Sequence, residues 1–243
     1  MKKIEVCFSP ALFDFYRNPN TVTVVVDVLR ASSAICAAFM NGVSSIVPVG
    51  QVEEARKLKN EGFLVAAERD GIVLDFADFG NSPFNFTRER VEGKKIVYST
   101  TNGTQAIKLA SSSKMVSVGS FLNLSAITNW VLNSNLNVII LCAGWKNKFS
   151  LEDTLLAGAI TDQILEQSDY ITDCDSALAA QDLWTIARHD LLGYVEKVAQ
   201  KSRLQKNGLD DVIEFCLTPD LTNIVPVFKN GIITGVLDNI SVC

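Results

Sequence analysis

A three-layer α/β/α fold built on a mostly parallel sheet is what this sequence predicts, on three observations. Short runs rich in Val and Ile alternate with longer stretches of helical period. The runs T-V-T-V-V-V-D and N-V-I-I-L-C-A-G are apolar throughout, as strands covered on both faces are. The order strand, helix, strand then recurs along the chain. With 243 residues, 48% of them hydrophobic and 20% charged, the chain can bury a large core, and one domain over residues 1–243 is expected.

The elements follow in order. I-E-V-C-F predicts a strand near Ile4–Phe8, and T-V-T-V-V-V-D one near Val22–Asp27, followed by a helix over Ser33–Asn41. I-V-P-V lies in a strand near Ser45–Val49, E-E-A-R-K-L in a helix over Val52–Glu61, and L-V-A-A in a strand over Leu64–Ala67. A second series begins with the strand Ile96–Ser99 and the helix Thr104–Ala110. It continues through the strand Met115–Val118 and the helix Leu124–Leu132 to the strand Val138–Cys142. Helices over Leu151–Glu166, Ser176–Ala187 and Leu191–Lys201 precede two closing strands, Ile224–Phe228 and Ile232–Val236.

The two series resemble each other weakly. Val24-VVDVLRASSAI leads to I-V-P-V-G, and Ile96-VYSTTNGTQAI leads to M-V-S-V-G. Each unit then reaches a strand that ends in a polar loop. This is the pattern of an internal repeat over about residues 22–71 and 96–145, giving two similar βαβαβ halves; a shared βαβαβ grammar accounts for it equally well.

Composition excludes several functions. A formal net charge of -5, with no basic stripe, argues against nucleic acid as partner. No apolar run approaches the roughly 20 residues of a membrane helix, and Glu5 and Asp14 interrupt the only segment placed like a leader, so a cytoplasmic protein without a membrane partner is expected. The six cysteines, Cys7, Cys36, Cys142, Cys174, Cys216 and Cys243, form no C-x-x-C pair; reduced and mostly buried thiols are expected. One histidine cannot build a two-histidine phosphatase site. D-x-D-x-T, C-x5-R, G-x-G-x-x-G and P-loop patterns are also absent.

Parallel α/β sheets bind ligands beyond the carboxyl ends of their strands, and four such loops carry unusual residues. Asp27-V-L-R-A-S-S ends a strand on a carboxylate, with Arg30 within one turn. Ala67-E-R-D-G places Glu68, Arg69 and Asp70 at a strand end. The others are Ser99-T-T-N-G-T and Cys142-A-G-W-K-N-K-F-S-L-E-D-T. In the third loop, one of Thr100, Thr101 or Asn102 suffices to cap the helix, with Gly103 relaxing the turn. Ser99, Thr100, Thr101, Asn102 and Thr104 together offer more donors than a cap needs, and Gly103 lets N–H groups approach an anion at the positive end of a helix. Asp27 and Glu68 read either as caps and partners of Arg30 and Arg69 or as joint ligands of a hard cation such as Mg²⁺. Ser150-L-E-D is a capping-box pattern that gives Asp153 a structural task and leaves Glu152 without one. Cys142 reads first as a small buried hydrophobe, although its place beside Gly144 would let it face a cleft as a catalytic thiol. His189, in A-R-H-D, reads as a surface or interface residue.

Val26-DVLRAS, Ala67-ERDG, Phe79-GNSP, Ser99-TTNGT, Cys142-AG with Phe149-SLEDT, and Gly208-LDDVIEFC with Val225-P span nearly the whole chain. In this order they resemble the 2-phosphosulfolactate phosphatase family. The resemblance implies a Mg²⁺-dependent hydrolase that converts 2-phospho-3-sulfolactate to 3-sulfolactate and phosphate, a step of coenzyme M biosynthesis. For that chemistry Asp27 and Glu68 are expected to hold the ion, with Glu152 or Asp153 as a further ligand or general base and either a metal-activated water or Asp27 itself as nucleophile; Cys142 stays a catalytic candidate. Arg30, Arg69, Asn81 and the loop residues Ser99, Thr100, Thr101, Asn102, Gly103 and Thr104 would bind the substrate as an anion cradle. Two alternatives keep the fold: a phosphatase for another small anionic phosphomonoester, and a non-catalytic protein that binds sulfonate or phosphate. Apolar helices such as Ala177–Ala187 favour a homo-oligomer, with a dimer expected.

Overall fold

In the computed structural model, which describes residues 1–238, the Val- and Ile-rich runs form the strands of one sheet; Cys243 lies outside the described residues. The chain runs through β1 (Ile4–Cys7), α1 (Phe13–Tyr16), β2 (Thr21–Val26), α2 (Ala31–Met40), β3 (Ser45–Pro48), α3 (Val52–Asn60), β4 (Leu64–Arg69) and β5 (Ile72–Val73). It continues through α4 (Arg88–Val91), β6 (Lys95–Ser99), α5 (Gly103–Ala110), β7 (Met115–Gly119), α6 (Leu124–Ser134), β8 (Asn137–Cys142) and α7 (Leu151–Gln167). Last come α8 (Asp175–Ala187), α9 (Leu191–Val195), α10 (Ala199–Lys206), α11 (Ile213–Leu217), β9 (Ile224–Lys229) and β10 (Ile232–Leu237).

Two expectations change. The helix predicted over Leu191–Lys201 is two helices: Asp190 accepts the Gly193 N–H and caps the short α9, and α10 then starts afresh with Gln200 and Leu204 turned inward. The strand β5 was invisible to periodicity because it has two residues. It pairs antiparallel with β4 across Asp70-Gly71, both at positive φ, the pair of residues a two-residue hairpin turn favours.

The strand order is β1-β8-β2-β7-β9-β10-β3-β6-β4-β5. β1, β8, β2 and β7 form one parallel block and β3, β6 and β4 another. The hairpin β9–β10 joins them through antiparallel pairings on both sides, so the blocks run in opposite directions. The two sequence units therefore interleave: β2 lies between β8 and β7, and β6 lies between β4 and β3. Exchange of the two units gives the same order of these six strands read from the opposite edge of the sheet.

Burial follows the period of two. Val22, Val24 and Val26 of β2 enter a core with α6, α7 and α8, whereas Val25 enters the opposite core with α2 and α5. α2 and α5 thus share one face of the sheet. A smaller cluster under α3 covers β4 and β6. Cys7, Cys36, Cys142 and Cys216 are buried and, like the part-buried Cys174, unpaired. Among the described residues no helix is long and apolar enough to cross a membrane.

Candidate active site

Because the two blocks run in opposite directions, a flat sheet would hold the carboxyl ends of β2 and β6 apart. They nonetheless meet on the face shared by α2 and α5. The contact is tight: a Cβ on Gly103, the first residue of α5, would stand 2.8 Å from the Ala31 Cβ at the start of α2 and 3.0 Å from Asp27 Oδ2. Gly103 is therefore required by helix-to-helix approach at the site. One cleft there is lined by Asp27, Glu68, Glu152 and Asp153 together with Arg30 and Asn81.

Asp27 Oδ1 accepts the Ala31 N–H at 3.3 Å. Burial pushes its carboxyl up to about 7 against that hydrogen bond, and the Glu68 and Glu152 carboxylates push it the same way. Glu68, 3% exposed, is held at both oxygens: Oε1 accepts the Thr101 N–H at 2.8 Å and Oε2 the Gly71 N–H at 2.6 Å. Asp153, 2% exposed, accepts Val28 N–H at 2.8 Å and Gly144 N–H at 3.0 Å. Burial and then the Glu152 and Asp27 charges raise its proton affinity well above the usual carboxylate range. Burial also raises that of Glu152, partly offset by its own backbone N–H and by Arg203. Arg30 Nη2 donates to Asn81 Oδ1 at 2.7 Å, while its buried Nη1 has no acceptor among the described residues. A buried guanidinium with an open N–H, beside four carboxylates, suits an oxyanion.

Several expected residues have other tasks. Asp153 does not turn back to cap its own helix; it spans the loops after β2 and β8, and Ser150 makes no side-chain cap. Arg69 points away from the cleft, donating to Glu68 O, Gly50 O and Ser99 Oγ, so Arg69 and Ser99 brace strand ends. Thr100 and Thr104 hydrogen-bond each other reciprocally. Thr101 Oγ1 accepts the Asp70 N–H and lies 3.4 Å from Glu68 Oε2. The hydroxyls of S-T-T-N-G-T are thus spent within the protein, and from this loop Asn102 is the residue that lines the cleft, its Oδ1 accepting the Lys146 N–H. The loop acts mainly as a scaffold for Glu68. Cys142 is fully buried in the core under α7 and does not line the cleft, and burial, then the Asp153 charge, raises its proton affinity well above that of an ordinary thiol, the opposite of what a nucleophilic thiol needs. His189 is exposed at the end of α8.

The cleft also contains residues that the sequence did not flag: Trp145 after β8, and Gln200, Arg203 and Asn207 on or just after α10. A-Q-K-S-R-L-Q-K reads as a solvated polar helix, so nothing in its pattern marked it. Across the mouth, Lys146 Nζ pairs with Asp70 at 2.9 Å, tying the loop after β8 to the β4–β5 turn.

Among the described residues, no three His, Cys, Asp or Glu side chains are gathered as a protein-only metal cage would need. Mg²⁺ does not require such a cage; one or two carboxylates, waters and phosphate oxygens suffice. Asp27 and Glu68 line one cleft with Glu152 and Asp153 beside them, hard oxygen donors of the kind Mg²⁺ takes, so the residues fit the ion.

Comparison with known proteins gives the family. Residues 7–231 match the model of a family described as 2-phosphosulpholactate phosphatase. A protein of Caldanaerobacter subterraneus subsp. tengcongensis named probable 2-phosphosulfolactate phosphatase is 40% identical over 214 residues, 86% of this chain and 88% of that one. Proteins of the same name from Clostridium acetobutylicum and Clostridium novyi are 35% identical over 215 residues and 34% identical over 235 residues. They cover 87% and 96% of this chain, and 91% and 99% of their own.

Proposed function

The chain belongs to the 2-phosphosulfolactate phosphatase family, and from that premise we propose that it hydrolyses 2-phospho-3-sulfolactate to 3-sulfolactate and phosphate with Mg²⁺ as cofactor. The observation that carries the reading is the convergence of Asp27, Glu68, Glu152 and Asp153 on one cleft that also holds the open N–H of Arg30. A protein that only binds anions would gain little from four carboxylates there.

Asp27 and Glu68 would hold the ion, which when bound offsets negative charge on the phosphate and lowers the pKa of a water. Arg30, positioned by Asn81, binds a phosphate oxygen. Asp153, locked by two backbone N–H groups, fixes the relative position of the β2 and β8 loops. Glu152 has no backbone of another element to serve and is the carboxylate free to take a proton from the attacking group. Asp27→Asn tests the assignment: turnover falls about 100-fold or more, the scale of a lost acid–base group or ligand, and the Mg²⁺ concentration for half-maximal rate rises. Unchanged turnover and unchanged Mg²⁺ dependence would remove Asp27 from the site.

A further inference from the structure

Resting on that phosphatase reading, we propose that Arg203 on α10 reads the sulfonate of the substrate and so sets the preference for a sulfonated phosphoester. Arg203 lines the cleft beside Glu152 and Trp145. Its guanidinium lies over the Trp145 ring, 4.6 Å from the centroid. Its Nε donates to Gln200 Oε1 at 2.6 Å, and Gln200 Nε2 in turn donates to Leu29 O at 3.0 Å, the carbonyl next to Arg30.

All of these anchors are neutral. Trp145 takes one face of the guanidinium and Gln200 takes Nε, so the edge carrying both Nη groups has no acceptor among the described residues. A long side chain on a polar helix ordinarily loses conformational freedom only for a good reason. Here it is fixed in place near the Glu152 carboxylate without a salt bridge to it, and its two-pronged edge is open, which is the geometry for bidentate capture of an oxyanion. Arg30 stands deeper, 4% exposed, with the catalytic carboxylates, and serves the phosphate end. Arg203, partly exposed on the α10 wall, is left for the second strong-acid group. A sulfonate remains ionised at every working pH and, like guanidinium, is weakly hydrated, so the pair forms at little desolvation cost.

The test compares wild type, Arg203→Gln and Arg203→Lys, each with Mg²⁺, on 2-phospho-3-sulfolactate and on 2-phospholactate, which has the same ester and carboxylate without the sulfonate. Calorimetric binding of 3-sulfolactate and of lactate runs beside it. In Arg203→Gln the preference for the sulfonated ester, as a ratio of kcat/KM values, falls about 10- to 100-fold, the size of a lost charge-assisted hydrogen bond. The fall lies mainly in KM, and 3-sulfolactate binding weakens by a similar factor. Arg203→Lys recovers part of the preference, because it keeps the charge and loses the fork. If Arg203 only supports the wall, both substrates decline together and the ratio stays at the wild-type value; that result, or unchanged 3-sulfolactate binding, overturns the proposal. If the wild type hydrolyses neither ester, the phosphatase reading fails alone, and the binding comparison still decides the role of Arg203. Should Arg203→Gln not fold, Arg203→Lys carries the same comparison.

Discussion

Asp153 is buried and accepts two backbone N–H groups from different loops, so its replacement by Asn turns one carboxylate oxygen into an NH₂ facing a donor. One buried N–H then lacks a partner, and Asp153→Asn loses about 1–3 kcal/mol of stability, measurable by urea unfolding of the metal-free protein. Asp27 gives a pH signature. Its carboxyl holds a proton up to about pH 7 when folded and releases it near the ordinary 3.8 when unfolded. The folded state therefore binds more protons between those values, and stability from this group is full below about pH 4 and lost as pH rises to 7. Thermal unfolding without metal should show Tm decreasing over that window, and Asp27→Asn should flatten the decrease; a slope unchanged by the substitution would contradict the burial of this charge. Asp27 was legible as a strand-end residue and Asp153 as part of a polar loop and helix start after a strand. The role of Asp153 was not, because S-L-E-D satisfies a local capping rule and its true partners, Val28 and Gly144, lie far away in sequence.

At the scale of elements, the meeting of α2 and α5 depends on Gly103. Glycine inside a helix ordinarily costs up to about 1 kcal/mol relative to alanine, yet Gly103→Ala should destabilise by about 1–3 kcal/mol, because the new methyl meets Ala31 and Asp27 at overpacked distances. The comparison is Gly50→Ala, where nothing lies within 4 Å of the added carbon; unfolding free energies of the two variants should diverge, and equal values would rule out the helix contact. Helices and strands themselves were readable from periodicity. The fate of the S-T-T-N-G-T hydroxyls was not, since a donor-rich loop looks the same in sequence whether its groups face an anion or, as with Thr101 and Glu68, another part of the chain. α10 escaped notice for the opposite reason: its residues at the cleft, Gln200 and Arg203, belong to the types that usually cover a solvated face.

At the scale of the whole molecule, alternation of strand and helix predicted the three layers, and the similarity of Val24-VVDVLRASSAI to Ile96-VYSTTNGTQAI marked the two loops that meet. The interleaving of β2 and β6 between strands of the other unit was not predictable from local patterns, because both pairings bury equivalent Val and Ile faces. The opposite direction of the two parallel blocks is set by a hairpin at the far end of the chain, β9–β10, whose pairing partners no spacing rule indicates. That topology nonetheless has a direct functional consequence: it delivers carboxylates from β2, β4 and the start of α7 to one point. Phosphate release from racemic 2-phospho-3-sulfolactate by the purified protein, with Mg²⁺, with EDTA, and with Mg²⁺ restored, tests what this cleft does. EDTA should abolish the release and Mg²⁺ restore it; release undiminished by EDTA, or no release in Mg²⁺, would contradict a Mg²⁺-dependent phosphatase.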